Sequence, residues 1–278
     1  MKLATKISLT THLLIIVPVI IISTVAFSFI YQTIKSNTVD HIISTNNLKT
    51  NQVQSWISLN ARRLEEMALS PSLRAYTKTL VSHDSGDAVY SEAWQKIISE
   101  YFSPRLWYGS FSEIFMLDIR NGTVLVSTNL EHIGHIESGQ TYFTEGKLRT
   151  SIQGIYYSEE LGKPAMTIAT PVRDEQLETT GVIAGHLGLM ELSDTLSLQS
   201  GLKLTEDTYL VNREGYFVTN PRFGRDYAMI RSVSTEGVDW DWPAVPGWLL
   251  TVIIREYPLS EPTAGCRCTA WSSLLRFM

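Results

Sequence analysis

The hydrophobic pattern begins with a long apolar run. From Ile7 to Ile34 there is no Asp, Glu, Lys or Arg, and Leu13 to Tyr31 is almost wholly apolar. A helix that crosses a bilayer needs about 20 such residues, so residues 13–31 predict a membrane span. Lys2 and Lys6 precede the run. The bias of basic residues toward the cytoplasm puts the N-terminus inside and everything after Tyr31 outside. A cleaved signal peptide is the rival reading, but its apolar region is about 7–15 residues long. The run here is longer, and its only cleavage-like site is the weak Ala26-Phe27-Ser28. Pro18 would break a soluble helix and is tolerated in a membrane one. The pattern predicts a retained signal anchor.

Residues 36–69 are polar, with apolar positions at helical spacing. Val39, Ile42, Ile43, Val53, Trp56, Ile57, Leu64, Met67 and Ala68 fall largely on one stripe, and Ser70-Pro71 reads as a stop. One long amphipathic helix leaving the membrane is the expectation. A second helix is predicted from Gly86 to Phe102, on Val89, Ala93, Ile97, Ile98 and Tyr101, with Val81–Gly86 as the loop before it.

At Ser112 the period changes to that of strands. Glu113–Asp118 and Thr123–Thr128 flank Asn121-Gly122, a hairpin signal because both residues tolerate positive φ. Further strands are predicted at Gly154–Ser158, Ala165–Pro171 and Gly181–Leu189, the last two joined by Arg173-Asp174-Glu175, with a short helix at Glu191–Leu198. The fold class is therefore α+β, an antiparallel sheet carrying helices. Thr208–Asn220 then repeats the pattern of Phe115–Asn129: an apolar strand, an Asp or Asn, a Gly turn, a second strand and Thr-Asn. Two copies suit two tandem subdomains. The second is short, with only Gly247–Ile254 as a further clear strand.

Composition narrows the function classes. Of the 278 residues 44% are hydrophobic and 18% charged, values of a folded protein. The net charge of −5 comes without a basic block, so nucleic acid is not an expected partner. The two cysteines, Cys266 and Cys268, lie in the last stretch, leaving the body without a disulfide framework or a cysteine metal site.

Three stretches resemble the double Cache (dCache) family of bacterial receptors. They are Phe115–Asn129 continuing into Ile133-Gly134 and Gln140-Thr141-Tyr142-Phe143; Gly154-Ile155-Tyr156-Tyr157 with Gly162–Val172 and Gly181–Gly185; and Thr208–Tyr216. The resemblance implies two tandem PAS-like antiparallel sheets, a small-ligand pocket in the membrane-distal one, and signalling through the long helix. Amino-acid-binding members carry Arg-x-Trp-Tyr, then Tyr-x-Asp, then an Asp on the last pocket strand. There an Arg grips the carboxylate through two hydrogen bonds, and an Asp with an aromatic holds the ammonium. Here Gln140-Thr141-Tyr142-Phe143 lacks the Arg, Ser158 replaces the first Asp and His186 the second. Arg105-Leu106-Trp107-Tyr108 precedes the first hairpin and is misplaced for that role, so Trp107 and Tyr108 read as packing residues. The departures argue against an ordinary α-amino acid. The implied pocket offers Tyr142, Tyr156, Thr167, Thr170 and His186 as ligand contacts.

Other chemistry has weaker support. His132-x-x-His135 lacks a third ligand at recognisable spacing and reads as a loop, so no metal or cofactor is expected. Gly-x-Ser-x-Gly, His-Glu-x-x-His and Walker sequences are all absent, and no catalytic residue is assigned. The expected divisions are a cytoplasmic N-terminus and anchor (1–35), the long helix with a membrane-distal subdomain (36–200), a shortened membrane-proximal subdomain (201–256) and an atypical tail (257–278). That tail has Pro258, Pro262 and Cys-Arg-Cys but no second spanning run, as in a truncated or frame-shifted receptor lacking its output domain. The expected protein is a single-pass inner-membrane sensor with its bulk in the periplasm, binding a small polar or anionic ligand. The stripe of the long helix points to a parallel homodimer. A membrane-tethered hydrolase using His186 or the His132/His135 pair, and a purely structural module, are the alternatives.

Overall fold

The apolar run is helical, and the helix does not stop where the run does. A computed structural model describes residues 3–108, 110–158, 161–189, 192–193, 206–211, 216–221, 230–232 and 251–256, with the backbone alone at 3–11, 39, 42, 107, 108, 206, 207 and 251–256. Helix α1 runs unbroken from Leu3 to Ala68 with Pro18 inside it. The chain divides into one unit that ends at Asn47 and another that begins at Leu48. In the first unit the large apolar side chains from Leu13 to Ile34 are all exposed, Leu14 at 76% and Phe27 at 72%. Water does not tolerate so continuous an apolar surface. This is the one helix among the described residues long and apolar enough to cross a membrane.

In the second unit α1 buries Val53, Ile57, Leu64, Met67 and Ala68, the expected stripe; the side chains of Val39 and Ile42 lie outside the described residues. The long helix ends at Ala68, where Ser70-Pro71 predicts its stop, and Pro71 then begins a helix of its own. Pro71 opens helix α2 (Pro71–Ser82) at its first turn, where a missing N–H costs nothing. Helix α3 (Ala88–Lys96) passes into a π-helical stretch, Ile97–Phe102, and then α4 (Ser103–Tyr108).

Strands β1 (Phe111–Asp118), β2 (Val124–Ser127), β3 (Ser151–Ser158), β4 (Lys163–Arg173) and β5 (Thr179–Leu187) form one antiparallel sheet in the order β2-β1-β5-β4-β3. The hairpin turn closes on Gly122 at φ +73°, with the Gly122 amide donating to the Asp118 carbonyl. One face carries Phe115, Leu117, Val124, Ala169, Val182 and Ala184, and α5 (Thr141–Gly146) adds Tyr142 and Phe143 to this core. Gly146 permits that approach, since a Cβ there would lie 2.8 Å from Ala169 Cβ. The opposite face meets α2, where Thr77 Cγ2 would lie 2.8 Å from a Cβ at Gly181. The fold class is α+β, as expected.

A second sheet pairs β6 (Glu206–Val211) with β7 (Thr251–Glu256), antiparallel. Tyr209, Val211 and Phe217 pack together beside it, and the Val218 amide donates to the Leu210 carbonyl. The Gly turn of the second hairpin, most of the helix expected at Glu191–Leu198 and the tail 257–278 lie outside the described residues.

Candidate functional site

Alternation along β1 puts Glu113 on the same face as Phe115 and Leu117, a carboxylate aimed into an apolar layer. Register extends the row: Glu113 stands opposite His186 of β5, and His186 opposite Thr167 of β4. Tyr156 of β3 reaches the same place, its hydroxyl 2.8 Å from Thr167 Oγ1, which lies 2.7 Å from His186 Nδ1. Glu113, His186 and Thr167 are each at most 1% exposed.

The segment after β2 lays a second tier over this row. Asn129 caps a single 3-10 turn, Leu130–His132, by accepting from the Glu131 amide. Gly134, at φ +88°, turns the chain back along β2, where the Val124 amide donates to the His135 carbonyl and the Glu137 amide to the Gly122 carbonyl. His132 is thereby buried against the sheet, its ring 4.7 Å from that of Phe115 and 6.1 Å from that of His186, nearly parallel to the latter. Its Nδ1 donates to Glu113 Oε1 at 2.6 Å and its Nε2 to Glu137 Oε1 at 3.3 Å. Ser127 Oγ donates to Glu113 Oε1, and the Tyr142 hydroxyl to Glu137 Oε2.

These bonds set the protonation states. Burial works against charge on all three groups, and the hydrogen bonds overcome it. Those from His132 and Ser127 hold the Glu113 carboxyl below the usual glutamate range. Those from His132 and Tyr142 do the same for Glu137. His132, between the two carboxylates, is pushed up to about 9. Two carboxylates therefore share the His132 imidazole, and His186 nearby also favours their charged forms. Among the described residues no Lys or Arg is paired to either carboxylate.

Of the five expected ligand contacts, the structure joins Tyr156, Thr167 and His186 in one hydrogen-bonded chain. Tyr142 adjoins them, its ring 6.3 Å from that of His186 and 6.4 Å from that of Tyr156. Thr170 is not brought to them. Three positions beyond Thr167 on a regular stretch of β4, it faces the other side of the sheet, where its hydroxyl lies 3.0 Å from that of Thr150. Glu113, Ser127 and Glu137 are additions that the sequence reading passed over, and His132 was weighed there only in a pair with His135. His135, paired with His132 in that reading, is exposed.

Among the described residues no catalytic triad is assembled at this site. In a triad a histidine bridges serine and carboxylate; here the Glu113 carboxylate bridges Ser127 and His132. The side chains of Trp107 and Tyr108 lie outside the described residues.

No protein-family model matches the chain, and no curated protein matches it. Solved structures do. The sensor domain of the V. cholerae histidine kinase DctB is 14% identical, with 72% of each chain covered and a TM-score of 0.56. The ligand-binding domain of the Pseudomonas aeruginosa PAO1 amino-acid chemoreceptor PctC, in complex with GABA, is 17% identical over 67% of this chain and 77% of its own, with a TM-score of 0.47. That of PctB, in complex with L-Arg, is 15% identical over 70% and 75%, also at 0.47. The likeness to the DctB domain is one of fold. The chain has the fold of that sensor domain, in keeping with the Cache-type motifs quoted above.

Proposed function

We propose that the chain is the extracytoplasmic sensing module of a membrane-bound receptor and that its ligand is small and polar. One observation carries this reading: a row of polar side chains on the inner sheet face, Glu113, His186 and Thr167 buried and Tyr156 partly so, under His132 and Glu137. Burying several ionisable groups where apolar ones would pack costs stability. Such expense is usual at sites that must recognise something. Glu113 and Glu137 weigh against the anionic ligand considered from sequence, because a second carboxylate would meet them. A neutral or cationic polar ligand suits the site.

The bilayer is crossed by residues 13–31, with Lys2 and Lys6 inside and the sheet outside. The site strand is tied to the long helix, since Trp56 Nε1 of α1 donates to Ser110 Oγ just before β1. A change at Glu113 therefore has a short route to α1. Leu48 and Leu59 are half-exposed apolar residues eleven positions apart on one helical face, and that face is the proposed seam of a homodimer. The tandem division at residues 36–200 and 201–256 remains part of this proposal.

The test is a thermal-shift screen of the full chain in detergent against amino acids, organic acids, amines and nucleobases. A ligand at 100 times its Kd stabilises the native state by about 2.7 kcal/mol. The expected result is a hit lost in Tyr156→Phe and His186→Gln and kept in Thr170→Val, whose side chain faces the other side. A folded protein that responds to nothing would make the structural module the better reading.

A further inference from the structure

The donors in this site fall into two kinds. Glu113, His132 and His186 each offer one ligand atom, and those atoms all lie within 4.8 Å of one another. Glu137, Thr167 and Tyr156 stand behind them. Each imidazole is held through one nitrogen by an outer group: His132 Nε2 by Glu137 Oε1, and His186 Nδ1 by Thr167 Oγ1, itself held by the Tyr156 hydroxyl. His132 Nδ1 is left on the Glu113 side, and Nε2 is the nitrogen of His186 that a metal would take. Ligating histidines in proteins are oriented in this way, one nitrogen on the ion and the other on a carboxylate or oxygen partner. Glu113 supplies the second observation. It is 1% exposed, and its Oε2 accepts no hydrogen bond from any described residue.

We propose that Glu113, His132 and His186 bind a divalent transition-metal ion of the zinc class, with Glu137 and Thr167 as positioning residues. Two imidazoles and one carboxylate are the donor set of open zinc sites, which keep a fourth position for water or a small ligand. Bonds of about 2.1 Å in a tetrahedron put ligand atoms about 3.4 Å apart. The Glu113–His132 contact of 2.6 Å must open, and the wider separations must close, by movements that side-chain torsions supply. The proton on His132 leaves as the ion enters. The ion's two positive charges then meet the Glu113 and Glu137 carboxylates. The proposal names the ligand class of the sensing site and rests on that reading for the site's access to solutes. It departs from the sequence reading, which set no metal, because the partners of His132 lie 19 and 54 residues away in Glu113 and His186 and not at His135.

The test uses the full chain in detergent with Cys266 and Cys268 replaced by Ser, titrated with Zn(II) against a chromophoric chelator and, separately, with Co(II) followed by its visible absorption. One equivalent of Zn(II) is expected to bind, and Co(II) to give the intense bands of a four-coordinate ion. Glu113→Gln and His186→Gln are expected to weaken Zn(II) by more than the roughly 10–100-fold that loss of an outer partner costs, while His135→Ala leaves it unchanged. Should a variant fail to fold, the Co(II) spectrum of the unsubstituted protein decides: weak six-coordinate bands, or none, overturn the proposal. Zn(II) binding that survives both Glu113→Gln and His186→Gln overturns it too. An organic ligand that stabilises a protein unable to bind Zn(II) would sink the metal site and leave the sensing reading standing. Zn(II) bound through these three residues with no organic hit would make the ion itself the signal. A folded chain that binds neither loses both.

Discussion

Asp118 ends β1 with a nearly buried carboxylate that Arg120 covers. The Arg120 guanidinium donates from Nε to both oxygens at 3.0 Å and from Nη2 to Oδ2 at 2.6 Å, and its amide donates to Oδ1 at 2.9 Å. Burial works against the charge, but these bonds outweigh it and depress the carboxyl below its ordinary value. A depressed folded value adds stability that is present above the unfolded value, about 3.9, and lost as pH falls through the folded one. Asp118→Asn is therefore expected to melt below the unsubstituted protein at pH 7, with the gap closing as pH drops below about 4. Melting curves from pH 7 to 3 check this; a gap that ignores pH would remove the ion pair from the account. At this scale the sequence was partly legible. His186, Thr167 and Tyr156 were readable through the resemblance. Glu113 carried its own signal, a charge at a position that alternates with Phe115 and Leu117. His132 did not, because what buries it is the turn at Gly134 and the return of the chain along β2, a tertiary event with no local periodicity.

Among the elements, α5 depends on a close approach. A Cβ on Gly146 would lie 2.8 Å from Ala169 Cβ and 3.2 Å from Val182 Cγ1. Gly146→Ala should cost about 1–3 kcal/mol by overpacking and lift Tyr142 away from Glu137. A lower Tm together with weaker ligand stabilisation is the expected pair of results, and an unchanged Tm would show that α5 can shift without loss. The strands β1, β2, β4 and β5 were legible because alternation, Gly122 and the charged turn at residues 173–175 all pointed the same way. Helix α2 was not. Pro71 reads as a stop when judged from the helix before it, yet it opens the helix after it, and the same residue serves both readings. β3 begins three residues before its expected start, at Ser151, with an irregularity between Gln153 and Tyr156 that interrupts its alternation.

The whole molecule is an apolar helical stretch joined to a sheet that bears a polar inner site. If residues 13–31 cross the inner membrane, Leu177, which is 71% exposed in the β4–β5 turn, faces the periplasm. A Leu177→Cys variant lacking Cys266 and Cys268 is expected to react with a membrane-impermeant maleimide in cells with intact inner membranes; reaction only after lysis would reverse the topology. The fold and the site's strands were legible at this scale, but the ligand was not, because its chemistry depends on which groups the register of three strands brings opposite one another. The most direct measurement is hydrogen exchange on the full chain in lipid nanodiscs, with and without the compound giving the largest thermal shift. The account predicts slowed exchange in β4, β5 and Leu130–Tyr142, with a smaller change in α1 beyond Leu48. Protection confined to β6 and β7, or spread evenly over the chain, would contradict it.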